Sequence, residues 1–181
     1  STVSGVSYGG LVYYTNMIPA LARVDKINNY VIFTHFDQLS EFYLEQNNFK
    51  FVKLNKIYKN QAFRFIWEQL ILPFQIKYYG IDVFFTAKNL NVFLTTSQTV
   101  IAIRNMEPFF YKKYNNDVVL NCINSIRNIL TRISMFKADR IIAVSEFAKE
   151  FICNQYPNLE RKIHVVYNGN PVSVKYQNHN K

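Results

Sequence analysis

Three polar residues follow an apolar run near the middle of the chain, where they could bind a ligand. Residues 100–103 predict a buried strand, and Arg104, Asn105 and Glu107 come after it. The guanidinium of Arg presents a planar fork of donors that suits phosphate or carboxylate, and the amide of Asn can bind sugar hydroxyls. A purely structural arrangement is equally compatible with the sequence: Arg104 paired with Glu107 or Asp82, and Asn105 capping a loop.

A second apolar run ends in the same way. Residues 140–144 predict another strand, and Ser145 and Glu146 follow it. Ligands of open α/β sheets bind beyond the carboxyl ends of the strands, so the two runs predict a polar cleft along one sheet edge. The simpler interpretation is that Ser145 caps a helix over residues 145–155 and that the helix dipole favours the Glu146 carboxylate.

A glycine pair, Gly9 and Gly10, stands directly before a predicted helix over residues 10–24. Glycine lets the backbone approach a ligand closely, and the free N–H groups at a helix start attract anions. The spacing is not GxGxxG, so a dinucleotide fingerprint is not supported. Without further context, a flexible tight turn is the simpler interpretation of the pair.

The elements that position these residues alternate along the chain. Strands are predicted at 30–36, 49–54, 81–85, 100–103, 140–144 and 163–167. Helices are predicted at 10–24, 38–47, 61–79, 117–137 and 145–155. The alternation predicts an α/β fold, a Rossmann-like parallel sheet with helices on both faces. Residues 1–10 are typical of a loop that follows a first strand, so that strand is expected to be missing.

Several residues set details of the helices. Pro73 is expected to kink or split helix 61–79, and Gly80 to end it in the left-handed conformation. Asp117 is expected to cap helix 117–137, and residues 86–96 form a polar loop that holds Asn89. The apolar stripe of helix 117–137 is expected to face the core, and consists of Val119, Ile123, Ile126, Leu130 and Ile133.

Composition narrows the class of protein. Hydrophobic residues make up 49% of the 181, which is typical of a globular protein, and no apolar run is long enough to span a bilayer. Cys122 and Cys153 are expected to be buried free thiols, which favours the cytoplasm. His and Cys lack metal-ligand spacing, so no metal site is predicted. The net charge of +9 fits an anionic partner or a merely basic surface, but its dispersion argues against nucleic acid.

Taken in order, several segments of the chain resemble the amino-terminal domain of GT-B glycosyltransferases, in particular the large retaining family known as glycosyl transferases group 1. The segments that carry the resemblance are 9–21, 67–73, 82–85, 103–109, 138–149 and 163–169. Together they span nearly the whole chain. The segment around Ser145–Glu146, with Asn168–Gly169, is the most specific of them.

The resemblance implies a sugar transferase of the hexosyltransferase type, with a nucleotide diphosphate sugar as donor and a glycan or lipid-linked acceptor. Residues 1–168 would form the acceptor-side domain, and 169–181 a linker to an absent carboxyl-terminal domain, so this fragment alone is expected to be inactive. The donor would contact Gly9, Gly10, Ser145 and Glu146. The acceptor would contact Asn89, Arg104, Asn105 and Glu107.

One position departs from the family pattern. Many members carry His–Asp where this chain has Arg104–Asn105, and Arg stays protonated, so it cannot act as a general base. The catalytic residues are therefore unknown. The alternative function is a stand-alone module that binds a sugar or nucleotide without turnover.

The expected location is the cytoplasm, with peripheral contact at the inner face of the membrane as an alternative. An aromatic and basic loop over residues 109–114 could touch an anionic bilayer. A partly buried aromatic loop is the simpler interpretation of the same residues.

Overall fold

The fold is that of a computed structural model, which describes residues 2–3, 8–35, 46–114 and 118–169. The strands are β1 (Thr2–Val3), β2 (Tyr30–His35), β3 (Phe49–Leu54), β4 (Val83–Thr86), β5 (Gln98–Ile103), β6 (Arg140–Ala143) and β7 (Ile163–Val165). The α-helices are α1 (Tyr8–Val24), α2 (Gln61–Ile66), α3 (Leu72–Tyr78), α4 (Glu107–Tyr114), α5 (Val118–Lys137) and α6 (Glu146–Gln155). Short 3₁₀ turns cover Lys56–Lys59 and Pro157–Lys162.

All strand pairs in these ranges are parallel, as the alternation of elements predicts. Their hydrogen bonds form two groups, ordered β1-β2-β3 and β4-β5-β6-β7, rather than one continuous sheet. Shared cores join the groups: Ile32 of β2 packs in one cluster with Ala102 of β5, and Phe33 packs in another with Phe84 of β4. Helix α1 belongs to the first cluster, while α3 belongs to the second. The predicted Rossmann-like fold, with parallel strands between helices on both faces, is confirmed.

The amino-terminal residues differ from the expected loop. Thr2 and Val3 form a short strand that pairs with Phe33 and Thr34 of β2. Whether a longer first strand belongs here stays a prediction, as do the domain limits at 168 and 169. Residues 166–169 form neither helix nor strand in the structure.

The predicted helix over 61–79 is split, and Pro73 explains where. A π-helical turn, Trp67–Ile71, separates α2 from α3, and the Leu72 N–H donates to the Trp67 carbonyl. Pro73 has no N–H to donate to the preceding turn, so the backbone widens just before it. Gly80 ends the segment with φ of 60°, the left-handed conformation expected of it.

Helix α5 has the predicted period but the opposite orientation. Val119, Ile126 and Ile133, expected in the core, are exposed, as is Ile123, while Leu130 is half-buried. The inward face carries polar and small side chains and Met135, and its buried members are Asn124, Thr131, Ser134 and Met135. The core prediction for this stripe is therefore wrong, because hydrogen bonds rather than apolar contacts hold much of the inward side.

Two smaller expectations are also corrected. Residues 109–114 lie in helix α4, not in a loop, and Phe110 packs against Phe151 at 4.7 Å between ring centroids. Both cysteines are free, but Cys122 is exposed and Cys153 only half-buried. Burial nevertheless raises the pKa of the Cys153 thiol.

Some predictions lie outside the described residues. These are most of the helix at 38–47, the capping role of Asp117 and the linker from 170 onward. In the described ranges no helix is long and apolar enough to cross a membrane.

Candidate functional site

The loops after β4 and β5 meet through the side chain of Asn89. Its Oδ1 accepts from the Arg104 N–H at 3.3 Å, and its Nδ2 donates to the Asn105 carbonyl at 2.6 Å. Because β4 and β5 are parallel neighbours, both loops leave the same edge of the sheet. Asn89 therefore joins the β4 loop to the β5 loop, which is one of the two loops predicted to line the cleft.

Asn105 fixes the entry into α4. Its Oδ1 accepts from the Glu107 N–H at 2.8 Å, and its Nδ2 lies 3.3 Å from Glu107 Oε2. This is the loop-capping role that was one of its two interpretations. The structure thus places Asn89, Arg104, Asn105 and Glu107 close together, and their role in acceptor binding stays a prediction.

Arg104 lies against an aromatic ring of α1. Its guanidinium carbon is 4.2 Å from the centroid of the Tyr13 ring, which is a cation–π arrangement. Burial raises the pKa of the Tyr13 hydroxyl, and the positive charge of Arg104 partly opposes that rise. Tyr13 lies within the predicted helix 10–24, and nothing in the sequence marks it as a partner of Arg104, so the sequence analysis missed this contact.

The glycine pair lies inside α1 rather than before it, because the helix already begins at Tyr8. Gly9 and Gly10 occupy its first turn, whose N–H groups have no partner within the helix. Tyr13 follows them by four and three residues, which places all three on one side of the helix. The two glycines therefore lie on the side of α1 that faces the Arg104 guanidinium.

An ion pair adjoins Asn89 in sequence. Lys88 Nζ lies 2.6 Å from Oε1 of Glu68, and the Glu68 side chain is 9% exposed. Glu68 belongs to the π-helical turn, so that turn contacts the β4 loop. Burial lowers the pKa of Lys88, and the Glu68 carboxylate acts in the opposite direction. The two residues are 20 positions apart, and no sequence motif links them.

Ser145 performs the simpler of its two predicted roles. Its Oγ accepts from the Ala148 N–H at 3.1 Å and so caps α6. Ile103 of β5 is in register with Ala143 of β6, so Ser145 leaves the same sheet edge as Arg104. Glu146 is exposed in the first turn of α6. Among the hydrogen bonds of the described residues, none connects Ser145 or Glu146 to Asn89 or Arg104.

Metal ligation finds no support in this part of the chain. In the described ranges, no group of three His, Cys, Asp or Glu side chains is arranged to hold an ion. Asn89, Arg104, Asn105 and Glu107 together offer two amides, one guanidinium and one carboxylate, which suit hydrogen bonding to hydroxyls and anions.

A family model described as Glycosyltransferase Family 4 matches residues 8–173. The chain belongs to this family. The match confirms the resemblance to the amino-terminal domain of a GT-B glycosyltransferase. It covers every element of the site, from the start of α1 to Ser145.

Among solved structures, the chain is similar to a glycosyltransferase from Rickettsia africae ESF-5, with 18% identity and a TM-score of 0.48. The match covers 92% of this chain and 41% of that one. This chain therefore spans less than half the length of that enzyme. A search of curated protein sequences gave no significant match.

Proposed function

We propose that this chain is the acceptor-side half of a glycosyltransferase that moves a hexose from a nucleotide diphosphate sugar to a glycan or lipid-linked acceptor. The observation that carries the proposal is the link from Asn89 to Arg104 and Asn105, at the edge where α/β sheets bind ligands. Membership of Glycosyltransferase Family 4 supports the reaction class.

Amide and carboxylate groups at this edge have the chemistry to bind an acceptor. Glu107 can accept from sugar hydroxyls, and the Asn amides can both donate and accept. Asn89 and Asn105 are already held by backbone contacts, so they are oriented before the acceptor arrives. Such pre-organisation lowers the entropy cost of binding.

Arg104 would bind negative charge rather than move a proton. A guanidinium remains protonated near neutral pH, so it cannot take the proton of an acceptor hydroxyl. It can stabilise an anionic acceptor or the departing diphosphate through charge-assisted hydrogen bonds. The Tyr13 ring supports one face of the guanidinium and would hold it in place for that contact.

The donor would reach the chain at two helix starts. The first-turn N–H groups at Gly9 and Gly10 suit a diphosphate. Glu146 carries a like charge, so it would bind hydroxyls of the donor sugar rather than the diphosphate. Most of the nucleotide site would belong to a second domain, and this chain alone is proposed to be inactive.

A cytoplasmic location is part of the proposal, since two free cysteines suit a reducing compartment.

The experiment compares Asn89→Ala with the parent in the full-length protein. The release of UDP from UDP-glucose and UDP-N-acetylglucosamine, and of GDP from GDP-mannose, would be measured with a bacterial lipid extract as acceptor. We expect the variant to lose about tenfold or more in kcat/KM for acceptor, as loss of a positioning contact typically does. Donor affinity, measured by calorimetry, should change by less than about twofold.

Asn48→Ala is the matched control. The Asn48 amide donates to the carbonyls of Asp25 and Asn28, at the other end of β2 and β3. It should alter stability without altering acceptor kinetics. Equal loss of donor and acceptor binding in Asn89→Ala would contradict the acceptor assignment. Tight binding of a sugar or nucleotide, with no release of UDP or GDP from any donor, would favour a binding module without turnover.

A further inference from the structure

Helix α5 presents an apolar stripe to the outside of the protein. Val118 is 75% exposed, Ile126 59% and Ile129 54%. The other large apolar side chains exposed on the same helix are Val119, Leu120, Ile123, Ile133 and Phe136. From Val119 onward, and leaving out Leu120, these side chains follow one another at spacings of three and four, so they form one continuous face. The helix has 20 residues, so the stripe is about 30 Å long.

The opposite face of α5 is fixed by polar contacts to the domain. Asn128 Nδ2 donates to the Pro108 carbonyl at 2.7 Å, and Ser134 Oγ accepts from the Asn91 N–H at 3.0 Å. Asn124 and Thr131 are buried on the same side. Rotating the helix to hide its apolar stripe would break these hydrogen bonds and expose Met135. The outward stripe is thus built into the packing of the helix.

Positive charge borders the stripe on both sides. Arg127 follows Ile123 by four residues, and Arg132 follows Ile129 by three, so these two exposed residues lie on opposite margins of the stripe. Arg127 Nη1 also donates to Asn124 Oδ1 at 3.3 Å, and the Arg132 guanidinium carbon lies 5.3 Å from the centroid of the Tyr156 ring. Lys137 ends the helix, and α5 contains no Asp or Glu. An apolar face with cationic margins is the pattern of helices that lie in the interface of a bilayer.

We propose that the outward face of α5 binds an anionic lipid bilayer, with its apolar side chains in the acyl boundary and its Arg side chains on the headgroups. Charge decides between a bilayer and a second copy of this chain. Pairing two α5 faces would bring six cationic side chains together with no acidic residue on either helix to offset them. Anionic lipids supply that opposite charge, and the whole chain carries +9.

The test is flotation of the full-length protein with vesicles of phosphatidylcholine containing about 30% phosphatidylglycerol, a strongly anionic surface. Ile126→Glu/Ile129→Glu should lower the vesicle partition coefficient by about tenfold or more, since it places charge in the acyl boundary. Both positions are exposed, so the fold should persist, which circular dichroism would verify. The matched control is Val24→Glu/Ile27→Glu, which changes two apolar side chains that are 81% and 91% exposed, at the last residue of α1 and in the turn that follows it. Two added Glu side chains repel an anionic surface wherever they lie, and both double variants share this effect. Beyond it, the control should bind the vesicles as the parent does.

A second variant separates the electrostatic part. Arg127→Gln/Arg132→Gln should weaken binding to the anionic vesicles by about fivefold for each Arg, and leave binding to pure phosphatidylcholine unchanged. Equal vesicle binding by Ile126→Glu/Ile129→Glu and by the control would overturn the proposal. A second result would also overturn it: the parent does not bind vesicles but forms a dimer in sedimentation equilibrium, and Ile126→Glu/Ile129→Glu dissociates that dimer. A second copy of the chain would then be what covers the stripe. Sugar transfer plays no part in these measurements, so the two proposals can fail separately.

Discussion

Arg104 is the residue whose surroundings say most about the site. Its guanidinium lies on the Tyr13 ring, and its backbone N–H donates to Asn89. Side chain and main chain are thus held by two different elements, α1 and the β4 loop. In the role proposed for Arg104, an anion would approach in the guanidinium plane, where the N–H donors point, rather than through the face that the ring covers.

The first prediction concerns this stacking. A double-mutant cycle with Arg104→Gln and Tyr13→Leu should give a coupling of about 0.5–1 kcal/mol in the free energy of unfolding, the usual strength of a cation–π contact. Urea denaturation of the four proteins measures it. Lys50, whose Nζ lies 4.8 Å from the Tyr79 ring centroid, provides a matched pair outside the site. Strict additivity at Arg104 and Tyr13 would mean that the ring only fills space.

At the residue scale, the sequence predicts polar side chains better than their aromatic supports. Arg104 and Asn105 stand out because they follow an apolar run. Tyr13 does not, since an aromatic residue at helical spacing is usually a core residue. The Glu68–Lys88 pair is also hidden, because its members come from separate elements that only the fold brings together.

At the element scale, the turn between α1 and β2 depends on one carboxylate. Asp25 Oδ1 accepts from the N–H groups of Ile27 and Asn28, both at 3.0 Å, and Oδ2 accepts from Asn28 Nδ2 and the Tyr30 hydroxyl. These hydrogen bonds, with that from the Asn28 side chain foremost, hold the pKa of Asp25 well below its usual value. Burial and the contact with Asp25 raise the pKa of Tyr30 to about 12.

This turn predicts a pH dependence. A carboxyl whose pKa is lowered in the folded state contributes its full stability above the pKa of the unfolded chain, about 3.9. Asp25→Asn should therefore lower the free energy of unfolding by a constant amount between about pH 5 and 7. The difference from the parent should shrink as the pH falls below about 4. Thermal melts at several pH values measure it, and an equal difference at every pH would contradict the assignment.

The π-helical turn has a role that the split at Pro73 alone does not reveal. It places Glu68 against Lys88, next to Asn89 in the β4 loop. Glu68→Gln should destabilise the protein by about 1–3 kcal/mol, less than for a fully buried pair because Lys88 keeps some contact with water. Glu68→Gln/Lys88→Met should recover much of that loss, since both partners of the ion pair are then neutral. Guanidinium denaturation compares them, and no recovery in the double variant would mean that the pair does not act as a unit.

Helix α5 shows what a hydrophobic pattern cannot predict about an element. Its period and length are evident from the sequence, but the direction of its stripe is not. An apolar stripe faces the core in most surface helices, because the core is the usual place to remove it from water. Here Asn128 and Ser134 hold the inward side by hydrogen bonds, and these partners lie in distant segments.

At the scale of the whole molecule, alternation of strands and helices predicted a parallel α/β fold, and this is the most secure part of the sequence analysis. The separation of the hydrogen bonds into two groups was not predictable, since it depends on which strand edges meet. What unites the two groups is apolar packing. Phe33 of one group and Phe84 of the other belong to the cluster that contains Trp67.

That cluster gives the last prediction. Trp67 is the sole tryptophan and lies 5.9 Å from the Phe33 ring, so its fluorescence reports on the contact between the two strand groups. If they form one cooperative unit, fluorescence and far-ultraviolet circular dichroism should give coincident urea transitions. Phe84→Ala should shift both by the same amount, corresponding to about 3–5 kcal/mol, whereas Phe74→Ala, at 75% exposed, should shift neither appreciably. A fluorescence transition that precedes the circular dichroism would instead mean that the two groups unfold separately, because loss of the Phe33–Trp67–Phe84 packing would then leave secondary structure intact.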